Sequence, residues 1–200
     1  MKLTTILAAT AIAVSPALAA EYTIDTAHSG AHFTVRHMMV SNVKGDFAGV
    51  SGKVVWDGDP KTASVEATID ASTIDTGVDK RDEHLRSADF FDVAKYPTLT
   101  FKSRKVEAAG PGKLKVTGDL TLHGVTKEVV LDVEGPTAEF KNPWGKSVIG
   151  ASASTTIKRT DFGLTWNKAL ETGGVLVGED VKVSIELELV KSDSPAKASK

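Results

Sequence analysis

Cysteine is absent from the 200 residues. That excludes disulfide staples, thiolate metal sites, a cysteine nucleophile and a lipid-modified N-terminal cysteine. A chain without staples must be held by its core, and at this length it can be. Aromatic residues are sparse, at 6%. There is no basic excess either: the formal net charge is −2. Nothing is therefore available to neutralise a phosphate backbone, which argues against nucleic acid as a partner. The one sustained apolar run, Leu3 to Val14, is too short to cross a bilayer core of ~30 Å.

That run reads instead as the core of an export leader. Lys2 precedes it, and Ala17-Leu18-Ala19 supplies a small-x-small cleavage pattern. Residues 1–20 are thus expected to be a cleavable secretory signal peptide, and the protein is expected in the periplasm. No twin-arginine pair is present, which favours the general secretory route. Residues 21–191 then make one domain, and 192–200 a disordered polar tail.

Most of that domain alternates apolar and polar residues, the period of a half-buried strand. Phe33, Val35 and His37 share one face; His32, Thr34 and Arg36 share the other. Val43 to Trp56 continues as strand, with Gly45, Gly49 and Gly52 marking bends. Further segments alternate at Ala63–Asp70, Leu99–Lys102, Lys113–His123, Glu128–Glu134, Val148–Arg159 and Val181–Leu189. About eight or nine strands in meander order give an all-β domain with one buried face, so the sheet must close into a barrel or pair as a sandwich.

The alternation fails at Asp79 to Pro97, DKRDEHLRSADFFDVAKYP. Charges crowd there ahead of Phe90-Phe91. The pattern predicts a short helix to about Ala88, capped by Thr76 or Asp79, with Asp82 and Arg86 paired at i,i+4. Leu85, Ala88 and Phe91 would form a narrow apolar stripe, suited to a helix lying over the mouth of a container. The inward faces Ala63-Val65-Ala67-Ile69 and Ala151-Ala153-Thr155-Ile157 are unusually small. Either large residues such as Phe33, Phe47, Phe101 and Phe162 fill the space, or a lumen is left for an apolar ligand.

Signs of catalysis are weak. There is no nucleophile elbow, phosphate loop or HExxH helix. The five histidines show no metal spacing, and the carboxylates fall mainly on outward faces. His37 could be a satisfied core histidine or meet a ligand's polar head. Arg81, Asp82 and His84 could be a solvated helix face or a polar rim around a cavity mouth.

Several motifs, in order, resemble one family. They are FTVRH (33–37), KGDF (44–47), RDEHLRSADFFDVAKYPTLTF (81–101), GDLTLHGVTKEV (118–129), NPWG (142–145), RTDFGLTW (159–166) and the closing VKVSIELELV. Together they look like the YceI-like family of bacterial polyisoprenoid-binding proteins, over essentially the whole mature chain. The resemblance implies an extended, lipocalin-like antiparallel β-barrel whose tunnel holds a polyisoprenoid or a ubiquinone-like lipid, with no other cofactor. It implies a non-enzymatic role in carriage or storage. Homodimers occur among similar proteins, and relatives occur beside cytochrome b561-type membrane proteins. Carried over residue by residue, it implies a ligand-binding set of Phe33, Val35, His37, Phe47, Leu85, Phe90, Phe91, Phe101, Ala153, Ile157 and Phe162, with Arg81, Asp82 and His84 as head-group candidates. The competing expectation is a non-catalytic structural or regulatory partner of a membrane redox protein, with a filled core.

Overall fold

The computed structural model describes residues 19–171 and 173–193. The expected leader and polar tail lie outside the described residues, apart from Ala19, Ala20, Ser192 and Asp193. Among the described residues no helix is long and apolar enough to cross a membrane.

The chain begins with two strands that lie end to end. β1 (Ala20–Ile24) and β2 (Gly30–His37) both run antiparallel to β11 (Val177–Lys191), along the same edge of it. β3 (Ser41–Phe47) and β4 (Ser51–Trp56) return beside them, β3 on β2 and β4 on β1. The strand region expected from Val43 to Trp56, interrupted at its glycines, is two strands, broken at Ala48–Val50, where Gly49 adopts φ 68°. Only a residue without a Cβ takes that conformation cheaply.

A meander follows: β5 (Ser64–Asp70), β6 (Thr98–Gly110), β7 (Lys113–Leu122) and β8 (Val125–Glu134). A short β9 (Phe140–Lys141) and β10 (Ser147–Lys158) lead into β11. Eight strands close in the order β1-β4-β5-β6-β7-β8-β10-β11, every pair antiparallel. This is a barrel, and the sandwich is ruled out by that continuous ladder. β2 and β3 extend it at one end. The three-residue connection Met38-Met39-Val40 and the two-residue turn His123-Gly124 carry positive φ at Met38, Met39, His123 and Gly124, and turns of that kind match the right-handed twist of the strands they join.

Among the described residues the one α-helix, α1 (Asp79–Arg86), sits in the β5–β6 connection at that same end. Two clusters of buried side chains bracket the barrel interior. One, around Tyr22, Ile24, Val54, Ile149 and Leu189, fills the corner formed by β1, β4, β10 and β11. The other, Phe90, Leu122, Phe162 and Leu164, lies under the α1 segment.

Candidate functional site: an apolar barrel cavity beneath a stitched lid

Between the two clusters the barrel holds a cavity of ≈250 Å³. Every strand of the ring except β1 supplies wall residues. On β11 they run from Val177 to Leu189, which at ~3.3 Å per residue is about 40 Å of strand. The small faces explain the space. Ala63, Val65, Ala67 and Ile69 line one side, and Ala151, Ala153, Thr155 and Ile157 another. Two of the aromatic residues that could have filled it, Phe33 and Phe101, lie against the backbone of a neighbouring strand instead. Phe33 lies over Gly45, where a Cβ would come within 2.4 Å of its ring, and Phe101 lies over Gly118. Both glycines are there to let a ring approach the neighbouring backbone, which no larger residue permits.

The wall is almost wholly hydrocarbon. Its residues with polar side-chain atoms are His32, Trp56, Thr100, Thr155 and Arg159, and none of the five is hydrogen-bonded to another. His32 is held by Asp46. Arg159 is 4% exposed and donates to the carbonyls of Gly178, Leu164, Trp166 and Val177. Burial lowers its pKa, with Glu179 acting weakly in the other direction. Its role is to tie the Leu164–Trp166 stretch to the start of β11 across the barrel end. A buried arginine satisfied by carbonyls leaves no trace in a hydrophobicity pattern, and the motif reading did not single it out. Trp56, Val50, Leu164, Val177 and Pro136 also line the wall. They were missed because they stand at strand ends or in segments read as turns.

The lid differs from expectation in its chemistry. α1 stops at Arg86, its N-cap is Val78, and no side chain caps it. Thr76 does not cap the helix. Its N–H and hydroxyl instead donate to Asp82, which reaches back from the first turn and is 4% exposed. Arg81 donates from Nε to the Thr76 hydroxyl at 2.7 Å and from Nη2 to the Thr76 carbonyl at 2.9 Å. The expected Asp82–Arg86 pair does not form, because Arg86 is turned onto the carbonyls of Ser72 and Ile74, at 2.8 and 2.7 Å. Carbonyls left over by the preceding loop need donors, which Arg81 and Arg86 supply, and the Thr76 N–H needs an acceptor, which Asp82 supplies.

The residues singled out from the sequence divide cleanly. Phe33, Val35, Phe47, Leu85, Phe90, Phe91, Phe101, Ala153 and Ile157 stand on the cavity wall. Phe47 is a hinge of this wall, its ring 5.8 Å from Phe33 and edge-on to Phe91 at 5.5 Å. His37, Arg81, Asp82, His84 and Phe162 stand off it. His37 closes β2 opposite Val177 and Ser41. Arg81 and Asp82 are committed to Thr76. His84 bonds Asp89 at 2.8 Å and packs edge-on to Phe90 and Trp166, on the outer side of the lid. Phe162 is 2% exposed and packs beneath the lid with Phe90 and Leu164.

At the opposite end the floor is polar. Glu139 accepts from Tyr22 at 3.0 Å and from Lys191 at 2.8 Å. The Lys191 ammonium, then the Ser147 and Tyr22 hydroxyls, pull the Glu139 pKa down from 4.5 to about 2. Outside the barrel, Asp25, His28 and Glu188 bring potential metal-ligand atoms within 4.8 Å of one another. The Asp25–His28 ion pair, at 3.0 Å, accounts for that grouping.

Comparison with known proteins agrees with this architecture. The YceI-like domain family matches residues 22–189. A UPF0312 protein of Staphylococcus aureus (strain bovine RF122 / ET3-1) is 41% identical over 174 residues, 86% of this chain and 98% of that protein. The crystal structure of a Campylobacter jejuni YceI protein is 36% identical, with a TM-score of 0.65 over 79% of this chain and 90% of that one. A polyisoprenoid binding domain from Saccharophagus degradans shares the fold at 21% identity, with a TM-score of 0.62 over 86% of this chain and 98% of that one. With that span matched and the barrel in place, the chain belongs to the YceI-like family.

Proposed function

We propose that the protein binds a polyisoprenoid lipid or an isoprenoid quinone in its barrel, and carries or stores it in the periplasm without catalysing a reaction on it. The observation that carries this reading is the cavity wall: hydrocarbon on seven strands, broken only by His32, which is bonded to Asp46, by Arg159, which is bonded to carbonyls, and by Thr100, Thr155 and the Trp56 indole. Such a wall offers a prenyl chain about 25 cal/mol per Å² of apolar surface removed from water and nothing else. The small faces of β5 and β10 leave the lumen open along the strands, with room for the methyl branch that each five-carbon prenyl unit carries. The Saccharophagus degradans fold neighbour, described as polyisoprenoid binding, supports the ligand class. The leader pattern of residues 1–20 supports export.

A structural partner of a membrane cytochrome would do as well with a filled core, and the ≈250 Å³ cavity favours the carrier instead. The test is to purify the protein, extract it with organic solvent and analyse the extract by mass spectrometry. A prenyl lipid or quinone at near-stoichiometric yield is expected. A protein that comes empty and also takes up neither geranylgeraniol nor ubiquinone would overturn the proposal.

A further inference from the structure

The ladder that closes the barrel is incomplete at one seam. β8 has 10 residues and β10 has 12, yet they pair only at Asp132–Ser154, Val133–Ala153 and Glu134–Ser152. Towards the lid, Val125–Leu131 and Thr155–Lys158 face each other without a ladder pair. Had the register continued, Val130 would oppose Thr156 and Glu128 would oppose Lys158. β8 is fully paired to β7 on its other edge, and β10 to β11. The gap is therefore a local parting of two well-formed strands.

A cleft occupies this parting, and Val129, Thr155 and Ile157 line both the cleft and the inner cavity. These three side chains are common walls of the lumen and the cleft. Of the few polar side chains on the cavity wall, His32 is engaged by Asp46 and Arg159 by carbonyls, while the Thr155 hydroxyl stands at the cleft itself, so an amphiphile's polar end is best met there. At the seam the backbone N–H and C=O groups on both facing edges have no ladder partners. Lys127, Glu128, Lys158 and Asp161 stand around the same cleft. Two cations and two carboxylates balance, and Glu128 and Lys158 are further engaged by Arg104 and Asp180. No net positive charge is left to hold a diphosphate.

We propose that the β8–β10 seam is the portal through which the lipid enters, and the site where its head group rests. The head group is a neutral hydrogen-bonding oxygen, a hydroxyl or a quinone carbonyl. This rests on the carrier reading above.

The absence of cysteine allows a clean test. Val130, 41% exposed beside the cleft, becomes Val130→Cys; Lys61→Cys, in the β4–β5 loop at the other end of the barrel, is the control. Each variant is conjugated to a polyethylene glycol maleimide, and uptake of radiolabelled geranylgeraniol by lipid-stripped protein is timed. At least tenfold slower uptake is expected for the Val130→Cys conjugate, with no change for the control. Conjugation after loading should slow release as well, whereas a merely damaged fold would speed it. Equal uptake rates for the two conjugates overturn the portal. Geranylgeraniol should also outcompete geranylgeranyl diphosphate, and the reverse preference overturns the neutral head group. Failure of the unlabelled protein to take up either ligand overturns the carrier reading itself, and the portal with it.

Discussion

Glu139 is the residue whose chemistry departs furthest from that of its type. It lies at the floor of the barrel, between the Tyr22 hydroxyl and the Lys191 ammonium. Its carboxylate is stabilised there, and its pKa falls from 4.5 to about 2. A depressed carboxyl pKa contributes stability that is complete above the unfolded value and is lost as pH falls towards the folded one. Resistance to urea should therefore decline between about 4.5 and about 2, and Glu139→Gln should flatten that decline. Midpoints of urea unfolding measured above and below this window check it; an equal decline in both proteins would show that the anchor lies elsewhere. Nothing in the sequence announced Glu139, which stands among Pro136, Thr137 and Ala138 in an irregular stretch. The wall residues were legible for the opposite reason. Phe33, Val35, Ala153 and Ile157 occupy alternate positions of strands, and alternation alone assigns a face.

The lid shows where element-level reading succeeds and fails. A break in alternation and a crowd of charges located α1 correctly, to within two residues at its C-terminus. The partners of those charges could not be read, because they are backbone groups of the 72–76 segment brought close only by the fold. Arg81, Asp82 and His84 looked like a polar rim and are ties of the lid and its outer surface. The seam was equally hidden: the pattern placed β10 to within a residue and β8 three residues short at its start, and it carried nothing of their register. If Arg86 fastens the lid through Ser72 and Ile74, Arg86→Ala should loosen this element and leave the barrel intact. Hydrogen exchange of the Asp79–Arg86 amides should then quicken by roughly tenfold, for about 1.5 kcal/mol of charged hydrogen bonding lost. The β6–β7 amides should exchange as before. Acceleration spread evenly over both would mean that lid and barrel open as one unit.

At the scale of the whole molecule the cavity sets the energetics. At about 24 cal/mol per Å³, leaving ≈250 Å³ empty forgoes roughly 6 kcal/mol of packing. Domains are stable by only about 5–15 kcal/mol, so the apo barrel gives up a sizeable share of what it could have. Its two faces of small residues are the cause, since Leu at the same positions would fill the lumen. An occupant restores the contacts. Ligand at 100 times its dissociation constant adds about 2.7 kcal/mol, which for a chain of this size raises Tm by roughly 5–10 °C. Stripped protein reloaded with geranylgeraniol should show that rise in a thermal melt. The double variant Ala67→Leu with Ala153→Leu should melt higher than wild type when both are empty, and should no longer respond to the lipid. A variant that still responds fully would place the lipid outside the lumen, because both substitutions project new methyl groups from its wall.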